Sequence, residues 1–508
     1  MQDAQVLNLL RQAHEGGGSE QLRKFFVQPG NQLQGLMAYD LAPAAAVLYP
    51  VLTPLRNRIP RIGGAFNIQA NWKAITGINV TNQRAGVSEG NRSAFIAQET
   101  ADYFASYRGY GLENFVTFEG DYASKGFADV KSLAVTQLLQ SFMIQEERLD
   151  LGGNTSVKLG ITPTPTLAAL TSGGDIAPSQ AVSVICVALG PQAYLDVAGH
   201  NNGVIGQVFN PATAQVPGLI TRTNADGTSD SFGGGAAQKS AAAVVTTGAG
   251  SANSIQATVT PVRGAWGYAW YAGPAGNEKL FAVTSINSVV LTNIPAEGQM
   301  ASSLPNSDTS TSPLDYDGLF MQAAKENSRA WWKTMATGTA GQGTPLTADG
   351  AGGIEEFEEA FTAFYNLYRI SPTLILVSPQ ELINITRKII ANSGAPLLRL
   401  TVDAKSVTDG KISAGVAIGG YLNKVMGTEI PIVVHPNLAP GTIFFITDSL
   451  PYPLPGTANV FQKLLRADYY QIEWPLKSRK YEYGVYCDGV LQHFAPFSMG
   501  AICNIANG

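Results

Sequence analysis

Residues 126–150, GFADVKSLAVTQLLQSFMIQEERLD, leave the chain the least freedom. Phe127, Val130, Ala134, Leu138 and Phe142 recur at steps of three and four, and Val135, Leu139 and Met143 widen the stripe. That is the period of one helix face. At 1.5 Å per residue the run predicts a rod of roughly 35 Å, closed by a left-handed glycine cap at Leu151-Gly152-Gly153. A helix this long is a support for other elements rather than a small packing unit.

The sequence on either side predicts elements that need such a support. Residues 1–60 hold a short helical run, VLNLLRQA, then LAPAAAVLYPVLTPLRNRIP, whose four prolines forbid a long helix. This segment reads as an extended arm. Residues 61–125 begin with strand-like alternation, Phe66, Ile68, Ala70 and Trp72 on one face. A polar tip, QRAGVSEGNR, and a returning run, FIAQETADYFASYRGYG, follow, which predicts a long two-stranded hairpin. A lone hairpin is marginally stable in water, so this one is expected to lie on another surface.

Beyond the rod, which we take as 126–154, charge thins out. Residues 155–310 carry five basic and seven acidic side chains. Strand candidates such as AVSVICVAL, SIQATVTPV, WGYAWYAG and KLFAVTSI are separated by Gly, Asn and Pro turns, the pattern of a β-sandwich inserted into a host. From 311 the pattern becomes α/β. Helices are expected at 313–336 and 354–369, the latter with Ile354, Phe357, Phe361, Phe364 and Tyr368 on one face. Then TLILVSPQELINITRKI, 373–389, predicts a buried strand turning sharply into a helix. Ser378 caps that helix, Pro379 takes its first position, and Glu381 is placed to reach back and complete a capping box. The helix is expected to end near Asn392-Ser393-Gly394, with strands at VAIGGYL, IPIVVHP and GTIFFITD after it. Residues 456–508 read as aromatic-rich closing strands.

A chain of 508 residues exceeds one core. Its 14% charged content against 45% apolar content lies well below the roughly 25% charged usual for soluble domains. Much of the surface is therefore expected to meet other protein. The net charge of −5 and the lack of a basic patch argue against tight binding of a phosphate backbone. Cys186, Cys487 and Cys503 are too scattered for a disulfide framework or a zinc site. No signal peptide or membrane-spanning run is evident.

Chemistry finds few footholds. The corner at 373–389 has no glycine fingerprint, P-loop or nucleophile elbow. His435, Asp448 and Ser449 include the residue types of a hydrolase triad, but Ser449 sits in TDSLP without an elbow. His493 reads as a packed residue, and Glu355, Glu356, Glu358 and Glu359 as a helix start favoured by the dipole. Lys73 in the hairpin lacks a partner base for isopeptide chemistry. No catalytic, cofactor-binding or metal site is expected.

The order of elements, with AQETADYFASYRGYGLENFVTFEGDYASKGFADVKSLAVTQLLQSFMIQEERLDLGGN and the tail GTIFFITDSLPYP … RKYEYGVYCDGVLQHFAPFSMGAICNI, resembles the major capsid proteins of tailed bacteriophages, the Hong Kong 97-like shell fold. The resemblance covers roughly 1–154 and 311–508. It implies an α+β fold with an N-terminal arm (1–60), an elongated hairpin loop and start of the peripheral domain (61–125), and a spine helix (126–154). An immunoglobulin-like β-sandwich insertion (155–310), an axial domain (311–455) and closing strands of the axial and peripheral domains (456–508) complete it. It implies hexamers and pentamers that close into an icosahedral shell around packaged double-stranded DNA. Portal, scaffolding and decoration proteins are the implied partners, with DNA met only non-specifically. Location in the virion after assembly in the host cytoplasm is implied, with no membrane partner. This chain lacks a long charged helical N-terminal extension, so a separate scaffold is expected. The competing readings are a cargo-enclosing bacterial nanocompartment shell and, from another class, an α/β hydrolase with a β-sandwich binding module.

Overall fold

The computed structural model describes residues 53–77, 86–93, 99–125, 129–199, 209–392, 418–454 and 457–506. The helix at VLNLLRQA, nearly all of the arm, Phe127, the first residues of the hairpin tip and the end of the helix near Ser393 lie outside them. The described chain is mixed α+β and divides into two compact units. The smaller holds Gly109–Glu146 and Ala467–Asp488, and the larger Pro54–Arg108, Glu147–Arg466 and residues from Gly489 onward.

Strand β1 is Arg61–Ile62, β2 Gln69–Gly77, β3 Glu99–Ser106 and β4 Arg108–Thr117. Helix α1 is Phe118–Ser124 and α2, the rod, Val130–Gly152. In the smaller unit Ala134 and Val116 pack against Tyr483, and Phe142 is buried with Tyr110 and Tyr469 rings at 5.4 and 5.5 Å. The predicted stripe is thus the buried one. The rod's end differs from expectation. Neither Gly152 nor Gly153 has positive φ, so no left-handed cap forms. Both glycines answer close approach instead: a Cβ would lie 2.4 Å from Pro191 Cβ at Gly152 and 2.5 Å from the Tyr316 carbonyl at Gly153.

In the larger unit β2 and β3 pair antiparallel, Ala70 opposite Ala105 and Lys73 opposite Asp102. Their inner face is seated on the body: Ala70, Trp72 and Ala105 pack with Tyr107, Val490 and Leu464. Trp72 Nε1 donates to the His493 carbonyl at 3.0 Å. The stem therefore has a support within its own chain. Phe66 and Ile68 do not continue its inner face, because Asn67 at φ 91° breaks the alternation.

Residues 155–310 form two facing antiparallel sheets. One has the order β13-β10-β5, from Ser288–Leu291, Ser254–Thr258 and Thr166–Leu170. The other is β12-β11-β6-β9, from Lys279–Thr284, Gly267–Gly273, Ala181–Leu189 and Ala243–Thr246. Val184, Cys186 and Trp270 from one sheet meet Ile255, Ala257 and Leu291 from the other in a single core, which makes a β-sandwich. A separate hairpin pairs β7, Leu219–Thr223, with β8, Ser229–Gly233. The two ends of the segment adjoin, as an insertion requires: Ser312 N donates to Asn154 O and Asn154 Nδ2 to Ser310 O, each at 2.8 Å. Asp317 accepts from the Thr155 and Ser156 N–H groups at the same junction. Burial works against its ionised form, but the Lys325 ammonium and these hydrogen bonds prevail and hold its carboxyl below the usual range.

The remaining sheet runs β14-β21-β18-β15-β17-β16: Trp331–Thr334, Gly500–Cys503, Ile443–Ile446, Leu374–Val377, Thr428–Val434 and Gly420–Asn423. The long strands β19, Phe461–Glu473, and β20, Lys480–His493, belong to the four-stranded sheet β1-β19-β20-β4. The helix expected at 313–336 is only α3, Leu319–Ala324. All six of its residues are buried, Arg329 turns left-handed, and Trp331–Thr334 joins the sheet beside Gly500–Cys503. Helix α4, Glu355–Tyr368, stacks Phe357, Phe361 and Phe364 around Phe445 at 5.5, 6.0 and 6.4 Å, using the predicted face.

Candidate functional site

The corner of β15 and α5, Pro379–Asn392, is built from a fully buried strand, Leu374–Val377. The Glu381 N–H donates to Ser378 Oγ at 3.2 Å, which gives the predicted cap. The reciprocal half of the capping box does not form. Glu381 Oε1 instead accepts from Gly441 N at 3.0 Å, tying the start of α5 to the turn before β18. The side chain is 0% exposed and Oε2 is buried without a hydrogen bond, and burial pushes its pKa up to about 7. The group is a structural tie with one end left bare.

A second polar cluster lies on the last turns of α2, where sequence reasoning saw only helix. Within the larger unit Glu147 is buried and accepts from Leu55 N at 2.9 Å, Arg56 N at 2.6 Å and His435 Nε2 at 2.7 Å. Asn437 N donates to His435 Nδ1 at 3.1 Å, so that nitrogen bears no proton and the imidazole gives its Nε2 proton to Glu147. Three segments distant in sequence meet on one carboxylate. One turn on, Asp150 accepts from Tyr316 Oη at 2.7 Å and from Lys463 Nζ at 2.8 Å, and Lys463 also donates to Tyr316 Oη at 2.7 Å. Asp150 and Lys463 are both 0% exposed. Within the smaller unit Glu146, also buried, accepts from Tyr110 Oη at 3.0 Å and from Tyr469. Acidic side chains at a helix C-terminus oppose the macrodipole. That mismatch in QEERLDLGG was the signal available in the sequence.

The triad residue types do not assemble. Both ring nitrogens of His435 are engaged as above, and the ring is buried, whereas Asp448 and Ser449 are exposed. Asp448 faces Arg58 at 3.7 Å. His493 is buried, with Nδ1 accepting from Ala495 N at 3.2 Å, and burial drives its pKa down to about 3. Of the acidic run, Glu355 and Glu359 are exposed. Glu356 is buried and accepts from Thr347 N at 2.9 Å, while Glu358 accepts from Tyr421 Oη at 3.0 Å. Lys73 stands 3.6 Å from Asp102, but their side chains are 69% and 81% exposed, far from the desolvation that isopeptide chemistry needs. Cys186, Cys487 and Cys503 are buried free thiols, and burial pushes Cys503 up to about 12. Among the described residues no three His, Cys, Asp or Glu side chains group as a metal site.

What the surface offers instead is apolar. Phe66, Ile68 and Phe104 on and beside the β2–β3 hairpin are 85%, 75% and 72% exposed. Phe104 sits opposite Asn71 on the outer face of the ladder.

No protein-family model and no curated protein matches the chain. Solved structures do. The capsid of Myoviridae phage XM1 matches at 9% identity and TM-score 0.35, over 94% of this chain and 100% of that one. The cyanophage A-1(L) capsid matches at 9% identity and TM-score 0.37, over 92% and 97%. An encapsulin complex from Synechococcus elongatus matches at 11% identity and TM-score 0.21, over 37% of this chain and 57% of that one. Each is a likeness in the path of the chain, and none assigns a role.

Proposed function

We propose that this chain is the major capsid protein of a tailed bacteriophage, a Hong Kong 97-like shell subunit with a β-sandwich inserted at 155–310. In this reading 61–125 supplies the elongated loop, 126–154 the spine, 311–455 the axial domain and 456–508 the closing strands, with the arm before them. Copies assemble as hexamers and pentamers into an icosahedral shell for packaged DNA. Portal, scaffolding and decoration proteins join it in the host cytoplasm, and the product is a virion. The role is structural rather than catalytic.

The observation that carries this reading is the exposed set Phe66, Ile68 and Phe104. A soluble monomer gains nothing from such side chains on a hairpin, whereas apolar area covered by a neighbour stabilises at about 25 cal/mol per Å² before association costs. Repeated over many neighbours, modest contacts hold a closed shell. The engaged ring nitrogens of His435 and the exposed Lys73–Asp102 pair support the same reading against a hydrolase or a covalent staple. The test is sedimentation velocity with negative-stain imaging of the purified full chain. Closed particles or six-membered rings are expected, and a persistent monomer of 53.7 kDa contradicts it.

A further inference from the structure

Among the described residues, nothing pairs with the outer edge of one strand of the sandwich. Strand β9 is the last strand of its sheet and pairs only with β6 among the described residues. The pairing extends past the strand's own ends: Ser240 N donates to Cys186 O at 2.9 Å and Thr247 N to Gln180 O at 3.0 Å. The usable edge is therefore SAAAVVTT, 240–247, which has no charge, proline or glycine. Natural sheets normally blunt an edge with charge, proline, a bulge or a covering segment. The other edges of this sandwich follow that rule. Residues 299–301 cover β12, with Leu280 N donating to Gln299 O at 2.9 Å. Gly341 N donates to Ser288 Oγ at 2.9 Å above β13, and Pro163 and Pro165 precede β5.

Antiparallel alternation fixes which backbone groups are free for a partner. Because Thr247 bonds Gln180, the register Val182 opposite Val245 and Val184 opposite Ala243 turns residues 243, 245 and 247 toward β6. The N–H and C=O groups of Val244 and Thr246 then face outward. The Val244 side chain is 61% exposed.

We propose that this edge joins two copies of the chain, β9 pairing antiparallel with β9 of a second copy about a two-fold axis through Val244. An extended strand is the only occupant that satisfies a row of outward amides and carbonyls. A second copy of the same strand meets the edge without opposing like charges, since neither side has any. A two-fold contact of this kind uses one surface twice and closes on itself. The inference goes beyond the shell reading, which brings copies near one another without saying through which sandwich surface they touch.

The test uses the full chain with Val244→Cys. Directly opposed, hydrogen-bonded residues stand about 5.5 Å apart at Cα, inside the span that a disulfide bridges. Mild oxidation is expected to give a cross-linked dimer on a non-reducing gel, and Thr221→Cys in the exposed β7 is expected to give none. The three native cysteines are buried and stay silent. A Val244→Lys, Thr246→Lys double variant, checked for unchanged circular dichroism, is expected to weaken self-association about tenfold or more in sedimentation equilibrium. Dimer from Val244→Cys no greater than from Thr221→Cys, or wild-type association of the lysine variant, overturns the proposal. Particles without the Val244→Cys dimer defeat the edge alone, and the dimer without particles defeats the shell reading alone.

Discussion

Glu381 shows how a residue can be legible in type and misread in role. Its spacing from Ser378 predicted a capping box, and the Ser378 half is present. The carboxylate goes elsewhere because Gly441, sixty residues on, presents an N–H to it, and no local pattern encodes that meeting. The misplacement has a measurable consequence. A folded-state pKa raised to about 7 means the native protein holds a proton that the unfolded chain has released, and this holds between about pH 4.5 and 7. Stability therefore falls as pH rises through that window, by about 2–3 kcal/mol at most. Between pH 5 and 8 the urea midpoint of the wild type is expected to fall relative to that of Glu381→Gln, which cannot ionise but keeps every other titrating group. Parallel curves would show that Glu381 is not the group responsible. His493 contributes the opposite slope, because a pKa driven down to about 3 loses stability as pH falls below about 6.5.

At the level of elements, periodicity revealed the rod, α4 and the strand–helix corner, because each buries one regular face. It failed where aromatic residues are claimed by a sheet: Trp331 and Trp332 read as helix but pair with Gly500 and Ala501. It also gave no view of the charges on α2, since buried acids look like a solvated face until their partners are known. Asp150 and Lys463 make the case testable. Removing one member strands a buried charge, so Asp150→Leu and Lys463→Met are each expected to cost about 3–5 kcal/mol by denaturant titration. The double variant is expected to recover most of the loss. Additive losses would mean that the pair does not act as a unit. The glycines at the rod's end predict a second effect. A Cβ at Gly153 would meet the Tyr316 carbonyl at 2.5 Å, so Gly153→Ala is expected to lower stability by about 1–3 kcal/mol. Gly160 has nothing within 4 Å, but its φ of 73° limits the penalty of Gly160→Ala to backbone strain of about 1 kcal/mol.

For the whole molecule, composition set 155–310 apart as a segment poor in charge, but how it is attached was not readable. Trp266 packs edge-on to Phe320 at 5.3 Å, Arg263 lies over the Trp332 ring at 4.7 Å, and Asn287 and Asn504 exchange hydrogen bonds. Charge poverty marks a segment as distinct without saying which of its residues hold it in place. The hairpin teaches the complementary lesson. Alternation found both strands, yet the stem rests on its own chain through Trp72 and Ala105, while Phe66, Ile68 and Phe104 stay exposed. Burial of those three side chains by sister copies is what shell assembly requires. Side-chain oxidation footprinting, read by mass spectrometry on unassembled chain and on sedimented particles, measures their cover directly. Phe66, Ile68 and Phe104 are predicted to react readily in the free chain and to be strongly protected in the particle. Equal reactivity in both states would contradict the claim that sister copies bury them.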